Sequence, residues 1–232
     1  MEEPSRIIAI GDVHGCAAAL SALLDAVKPT RNDLIIPLGD YIDRGPDSRG
    51  VLEMLIDLEE RTQLAPLLGN HEEMFFAARS SKTELNAWLR YGGAETLASY
   101  GYTGGSLAPE DLAAYVPLKH LEFLRTCRDY YETANHFFVH ANYDPDLPLA
   151  EQPVELLRWT RVLAVNPRRH CSGKTAIVGH ASQVNGQILD LGFLKCIDTY
   201  CYGGQWLTAL DVLSGTIWQA DRTGRLRSSN QA

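Results

Sequence analysis

The chain has 232 residues, 45% hydrophobic and 22% charged, which is the composition of a folded globular protein rather than a disordered one. Its 21 Lys and Arg against 29 Asp and Glu leave a formal charge of −8, which excludes a sequence-wide attraction to nucleic acid or anionic membrane. No apolar run approaches the ~18 residues of a membrane-spanning helix, and an acidic start leading straight into Ile7-Ile8-Ala9-Ile10 has the wrong order for a signal peptide. The five cysteines (Cys16, Cys127, Cys171, Cys196 and Cys201) are odd in number and contain no Cys-x-x-Cys pair. They are expected to be reduced, buried thiols of a cytoplasmic protein; Cys196 and Cys201 could pair, but nothing in their spacing requires it.

In chain order, Ile7-Ile8-Ala9-Ile10 predicts a strand ending at Gly11-Asp12, followed by a helix over Ala17–Val27. Residues 34–38 predict a second strand ending at Gly39-Asp40, and 48–60 a helix with Val51, Leu52, Leu55, Ile56 and Leu58 on one side. Residues 64–68 predict a third strand ending at Gly69-Asn70-His71, then a helix over 72–78. This threefold strand–loop–helix alternation predicts an α/β layered domain over residues 1–223. From 82 to 131 the pattern becomes helical and irregular, broken at Gly92-Gly93 and 101–106, as in an inserted helical cap. Strand signals return at 136–139, 175–178, 187–190, 194–197, 206–212 and 216–220. The last two flank a hairpin turn at Leu213-Ser214-Gly215, and the polar tail 224–232 is expected to be loose.

Six places at strand ends carry metal-type ligands: Asp12 with His14, Asp40, Asn70, His140 and His180. In an extended segment Asp12 and His14 point to one face and Val13 to the other. Asp40 sits in the equivalent place after the second strand, where its carboxylate could bridge two ions. Carboxylate, imidazole and amide oxygen together suit Mn, Fe or Zn better than Ca or Mg, and no thiolate joins them. Two ions roughly 3.5–4 Å apart clamp an in-line displacement and lower the pKa of a bridging water. His71 could protonate a leaving oxygen, Asp43 could orient that imidazole, and Arg44 could grip phosphate oxygens with its planar fork. Taken singly, each residue has a bland reading: a satisfied histidine, a helix cap, a tight-turn glycine or a surface ion pair. Three successive strands ending in glycine and a ligand, with histidines after two more, favour the functional reading.

Gly11-Asp12-Val13-His14-Gly15, Gly39-Asp40-Tyr41-Ile42-Asp43-Arg44-Gly45 and Gly69-Asn70-His71-Glu72 resemble, in order and spacing, the signature of the calcineurin-like metallophosphoesterases. More narrowly they resemble the bacterial and phage branch of the phosphoprotein phosphatases. The resemblance extends through Val139-His140-Ala141, Gly179-His180 and Ile197-Asp198-Thr199, from about residue 6 to 220. It implies a two-sheet αββα sandwich with a di-metal centre at the strand ends, manganese being the expected metal. By motif, Asp12, His14 and Asp40 hold the first ion, and Asp40, Asn70, His140 and His180 the second. His71 with Asp43 is the implied acid pair and Arg44 a phosphate ligand. Arg161 in Trp159-Thr160-Arg161 stands as the second phosphate arginine, with Arg158 the alternative, and Asn70 is expected to touch the phosphate as well as the second ion.

The symmetrical diadenosine tetraphosphate hydrolases resemble the chain in the first motif and in 197–210. They carry alanine where this chain has Asp43 and Asp where it has Glu72. That pair favours a serine/threonine protein phosphatase, with a phosphoprotein or phosphopeptide as partner and no nucleic acid or membrane. Leu68 stands where many eukaryotic members have arginine, and Tyr200 where glycine is usual, so Tyr200 is expected either to narrow the cleft or to line it with an aromatic wall. A nucleotide-hydrolase reading would use Tyr200, Tyr202 or Trp206 for base stacking. A binding scaffold on the same fold would lack parts of the acid pair or ligand set, and none is missing. Trp88 and Leu97, in a segment resembling bacterial members, read as cap core. Nothing in the sequence gives the oligomeric state.

Overall fold

A computed structural model describes residues 4–162 and 166–228; the acidic start at 1–3 and tail positions 229–232 lie outside the described residues. The chain begins with β1 (Arg6–Ile10), α1 (Ala17–Val27), β2 (Asp33–Pro37), α2 (Ser48–Glu59), β3 (Gln63–Leu64) and α3 (Asn70–Ala78). Regular pairing of β3 is shorter than the sequence predicts. The extended segment nonetheless continues, with Ala65 and Leu67 donating to the Ile35 and Pro37 carbonyls, and Pro66 turned where the sheet needs no N–H.

The cap follows. Helix α4 (Lys82–Trp88) passes through a π-helical turn, Leu89–Gly93, into α5 (Ala94–Ser99), and then come α6 (Leu112–Tyr115) and α7 (Leu118–Thr126). The second half comprises β4 (Tyr130–Glu132), β5 (His136–Val139), α8 (Val154–Trp159), β6 (Thr175–Val178), β7 (Leu189–Asp190), β8 (Leu194–Cys196), β9 (Trp206–Asp211) and β10 (Ile217–Asp221). Strand β4 begins inside the stretch read as cap: Tyr130 and Tyr131 pair with Val139 and Phe138 of β5, a partner that local pattern does not announce.

These strands form two five-stranded sheets, ordered β10-β9-β1-β2-β3 and β4-β5-β6-β8-β7. Strands β1 to β3 run parallel, as do β5, β6 and β8; β9, β10, β4 and β7 run antiparallel to their neighbours. Alternation along β1 sets the layers. Ile7 and Ala9 face the other sheet, meeting Phe138, Ile177 and Ile197, whereas Ile8 and Ile10 face Leu20, Leu23, Val51 and Leu55 of α1 and α2. On the far side of the second sheet, Phe137, Val139, Ala176 and Val178 pack against Tyr143 and Leu157. The result is the helix–sheet–sheet–helix sandwich that the motifs imply. Cap residues Leu85, Trp88, Leu97, Leu112 and Leu124 belong to the same apolar cluster as α1 and α2, so cap and sandwich share a core.

The β9–β10 hairpin turns through Gly215 at φ 76°, whose N–H bonds to the Asp211 carbonyl at 2.8 Å. The segment after β10 is attached rather than loose as far as Arg227, whose N–H reaches the Gln219 carbonyl at 2.8 Å. All five cysteines are free: Cys16, Cys196 and Cys201 are buried, Cys127 is half-buried and Cys171 is exposed, so the expectation of five buried thiols fails at Cys171. Among the described residues no helix is long and apolar enough to cross a membrane.

Candidate active site

Parallel strands that end at one edge bring their following loops together. The loops after β1, β2, β5 and β6 are tied by backbone bonds: Val13 and His14 N–H to the Asp40 carbonyl at 3.1 and 2.8 Å, and Gly179 N–H to the His140 carbonyl at 2.8 Å. Glu72, buried in the first turn of α3, accepts N–H bonds from Asp40 (2.8 Å), Tyr41 (2.8 Å), Ile42 (3.3 Å) and Gly69 (3.0 Å). Burial and the Asp40 charge push its pKa up. Four donors, with no acceptor for an acid proton, hold the ionised form.

Among the described residues, six of the seven non-glycine residues with positive φ ring this edge: His14, Asp40, Asp43, Arg44, His180 and Tyr200, at 44° to 72°. Strain of this kind gathers at functional sites. It also corrects the reason given for the first motif. Asp12 and His14 share the site and Val13 is buried, but through a left-handed turn at His14 rather than strand alternation.

Among the described residues two overlapping groups could hold a metal ion, His14–Asp40–His71 and Asp40–His140–His180, with Asp40 common to both. The donor chemistry fits a cation. His140 directs Nδ1 to the Leu38 carbonyl (2.8 Å) and His180 directs Nε2 to the Trp159 carbonyl (2.9 Å), so each keeps a lone pair on its other nitrogen. Those lone pairs stand 3.1 and 3.0 Å from Asn70 Oδ1, itself an acceptor, with no proton among the three. His14 likewise directs Nδ1 to the Ile42 carbonyl (2.9 Å) and leaves Nε2 3.4 Å from Asp40 Oδ2. Asp12 stands outside both groups, its carboxylate accepting the His180 N–H at 3.0 and 3.1 Å.

The electrostatics agree with this demand for positive charge. Burial, with Asp198 and Asp40 beside it, pushes Asp12 far up. Burial lowers His14 and His140, and lowers His180 to about 4, keeping all three neutral. Burial opposes ionisation of Asp40, but the surrounding histidines, of which His71 carries the proton, outweigh it and hold its carboxyl down.

His71 differs from the other three. Burial would lower it, yet Asp40 and Asp43 raise it above the ordinary histidine range. Its Nδ1 lies 2.7 Å from Asp43 Oδ2, which leaves Nε2 facing the cluster, 4.0 Å from Asp40 Oδ2. Burial pushes Asp43 up against the bonds from His71, Thr96 and Trp88. With three donors on it, the pair is imidazolium and carboxylate. Arg44 donates to His14 Nε2 at 2.8 Å, with its guanidinium carbon 4.5 Å over the Tyr202 ring.

The two candidate phosphate arginines separate. Arg158 is bound by Glu73 at 2.8 Å and by Asp129, whereas Arg161 is exposed and lines a cleft of about 530 Å³ with Ser182, Val184, Asn185, Tyr200 and Tyr202. Tyr200 and Tyr202 meet edge to face at 4.9 Å, forming the aromatic wall that is one of the two expectations for Tyr200.

Three residues at the candidate site were given no site role by sequence reasoning, although Asp198 lies in a quoted motif and Trp88 was read as cap core. Asp198, buried beside Asp12, accepts the Ser182 hydroxyl at 2.6 Å and the Tyr200 N–H at 3.0 Å, tying the His180 loop to the tyrosine wall. It follows β8 just as Asp12 and Asp40 follow β1 and β2, a signal that was there to read. Trp88 is cap core by burial, but its indole N–H reaches Asp43. Thr96 also bonds Asp43, and nothing local marks it.

Residues 5–155 match the calcineurin-like phosphoesterase family. The chain belongs to that family. This metallophosphoesterase is 30% identical over 201 residues to serine/threonine-protein phosphatase 1 of Salmonella typhimurium, covering 84% of this chain and 87% of the relative. It is 26% identical over 276 residues to a symmetrical bis(5'-nucleosyl)-tetraphosphatase of Methylococcus capsulatus, covering 91% and 92%. A crystal structure of a putative diadenosine tetraphosphatase superimposes with a TM-score of 0.67 at 22% identity, covering 94% of this chain and 95% of the other, a likeness of fold. The phosphoesterase is thus a hydrolase of a dinuclear-metal family whose full-length relatives carry two kinds of name.

Proposed function

We propose that the protein is a cytoplasmic, metal-dependent phosphomonoesterase acting on phosphoserine and phosphothreonine in proteins. The observation that carries this reading is the buried Asp43–His71 pair at 2.7 Å, since the dinucleotide hydrolases it resembles carry alanine at the Asp43 position. In this reading Asp12, His14 and Asp40 hold one divalent ion, and Asp40, Asn70, His140 and His180 the other. Manganese is the expected metal, with iron or zinc the alternatives. Two such ions supply Lewis acidity to the phosphoryl oxygens and a water of lowered pKa. Arg44 and Arg161 grip the phosphoryl oxygens, as charge stabilisation and positioning dominate phosphoryl transfer. His71 delivers a proton from Nε2 to the departing seryl or threonyl oxygen, and Asp43 stabilises the imidazolium that carries it.

The Tyr200–Tyr202 wall supports a second reading, hydrolysis of a dinucleoside tetraphosphate, because tyrosine rings beside Arg44 and Arg161 suit a nucleobase and its phosphates. Phosphate release with added manganese separates the two, comparing phosphoserine and phosphothreonine peptides with diadenosine tetraphosphate at equal concentration. Faster release from the peptides supports the phosphatase reading. Cleavage of the dinucleotide alone transfers the function to the tyrosine cleft, and silence on both with full metal content leaves a binding scaffold.

A further inference from the structure

We infer that Trp88 and Thr96 of the cap are positioning residues for proton donation, holding the Asp43 carboxylate in line with His71; the inference rests on His71 being the proton donor. The Trp88 indole N–H is shared between Asp43 Oδ1 and Oδ2 at 3.0 and 2.9 Å. The Thr96 hydroxyl donates to Oδ1 at 2.8 Å and accepts the Asp43 backbone N–H at 2.8 Å. The Ser48 hydroxyl, 2.9 Å from Thr96 Oγ1, completes a chain in which every proton has an acceptor. All four residues are buried. A buried carboxylate depends on such donors for both its charge and its orientation.

The backbone of the cap is bent to make these contacts. A regular helix would separate Trp88 and Thr96 by about 12 Å along its axis. The π-helical turn at Leu89–Gly93, with Gly92 at φ 117°, breaks that line so that both side chains meet one carboxylate. Gly92 accepts the Arg44 N–H at 3.2 Å, and a Cβ there would strike the Arg44 nitrogen; one at Gly93 would strike the Trp88 ring. Asp43 and Arg44, consecutive left-handed residues at φ 72° and 68°, are therefore gripped from the cap by both backbone and side chains. A π-turn inside a helix is a frequent mark of function.

Leaving-group dependence tests the inference, because a poor alkoxide leaving group needs the proton and a dinitrophenolate does not. The manganese-loaded full-length protein and its Trp88→Phe, Thr96→Val, Thr96→Ser and His71→Asn variants would be assayed on a phosphoserine peptide and on 2,4-dinitrophenyl phosphate. Thermal unfolding and metal content would be measured on each. Trp88→Phe and Thr96→Val are expected to lower kcat on the peptide about 10- to 100-fold, within the range of general acid catalysis, while kcat on the dinitrophenyl ester stays within about threefold. Thr96→Ser, which keeps the hydroxyl, is expected to restore the peptide rate. Equal losses on both substrates, or no loss on either, overturn the inference while a selective His71→Asn leaves the proton-donor reading standing. An unselective His71→Asn overturns both. Thr96→Val, nearly isosteric, keeps the test decisive if Trp88→Phe folds poorly.

Discussion

Glu72→Gln probes the element on which the centre rests. The carboxylate divides its four donors evenly, Tyr41 and Ile42 on Oε1, Asp40 and Gly69 on Oε2. A glutamine amide must turn its NH₂ toward one of those pairs, so two bonds are lost and two buried N–H groups face another donor. Hydrogen bonds to a charged group contribute about 1.5–3 kcal/mol each, so the substitution is expected to cost about 3–6 kcal/mol. A domain of this size has about 5–15 kcal/mol in all. Urea unfolding followed by circular dichroism would measure it at neutral pH, as a fall in midpoint at constant slope. The two oxygens bind the backbone of Asp40 itself and of Tyr41, Ile42 and Gly69, so metal content should fall with stability. A cost under about 1 kcal/mol would refute the reasoning. Glutamine would then be standing in for a neutral carboxyl, and burial would have won over the four amides. Asp, one methylene shorter, could not span the same amides without moving α3.

His71→Asn is expected to lower turnover about 10²–10⁴-fold with metal content unchanged; loss of metal would instead make His71 a ligand, as its grouping with His14 and Asp40 also permits. Arg161→Ala is expected to raise KM for phosphopeptide, whereas Arg158→Ala is expected to lower the unfolding midpoint with little change in KM. Its guanidinium is committed to Glu73 and Asp129, and steady-state kinetics beside thermal unfolding would separate the two. Asp33 supplies an acid-sensitive staple at the opposite end of β2. Burial opposes its ionisation, but bonds from Arg6, Thr30 and Ser5 hold its carboxyl well below the usual range. A depressed carboxyl stabilises the fold fully above its unfolded pKa of about 3.9 and less as pH falls toward the folded value. Asp33→Asn should therefore cost about 2–4 kcal/mol near neutrality and flatten the loss of stability below pH ~4, read from urea midpoints across pH.

The elements that sequence predicted well are those whose partners follow from local pattern. Strands β1 and β2 carry apolar residues on both faces because each packs helices on one side and the second sheet on the other, and such runs announce themselves. Strand β4 does not: its three residues become a strand only because Phe138 and Val139 offer an edge. The convergence of the candidate ligand residues was readable for a related reason. In an αββα sandwich any residue just past a parallel strand arrives at one edge, so Asp12 and His180 meet although 168 positions apart. Their meeting needs only the strand order, which the repeated strand–glycine–ligand pattern already suggested. Trp88 lay beyond that logic, because its indole N–H finds Asp43 only through a bend at Gly92 that composition alone does not place.

The polar residues missed from sequence answer a cost that was equally hidden. Left-handed backbone costs a non-glycine residue about 1–2 kcal/mol, and six such residues surround the candidate centre. Four of the six are gripped from outside the candidate ligand set, and His180 and His14 from within it. Glu72 takes the Asp40 N–H, Thr96 the Asp43 N–H, Gly92 the Arg44 N–H, Asp12 the His180 N–H and Asp198 the Tyr200 N–H. His14 is held by the Asp40 carbonyl. Two of these grips come from the cap and one from the residue after β8, so the geometry of the candidate ligands depends in part on segments that contribute none of them. A motif names the residues that meet substrate or metal; the residues that keep those backbones strained belong to whichever segment the fold brings alongside. Tyr200 marks where that support turns toward specificity. Asp198 holds its N–H, the strained backbone sets its ring against Tyr202, and the pair walls the cleft that Arg161 lines. A glycine there would remove the strain and the wall together, so the aromatic wall is what the strained conformation sustains.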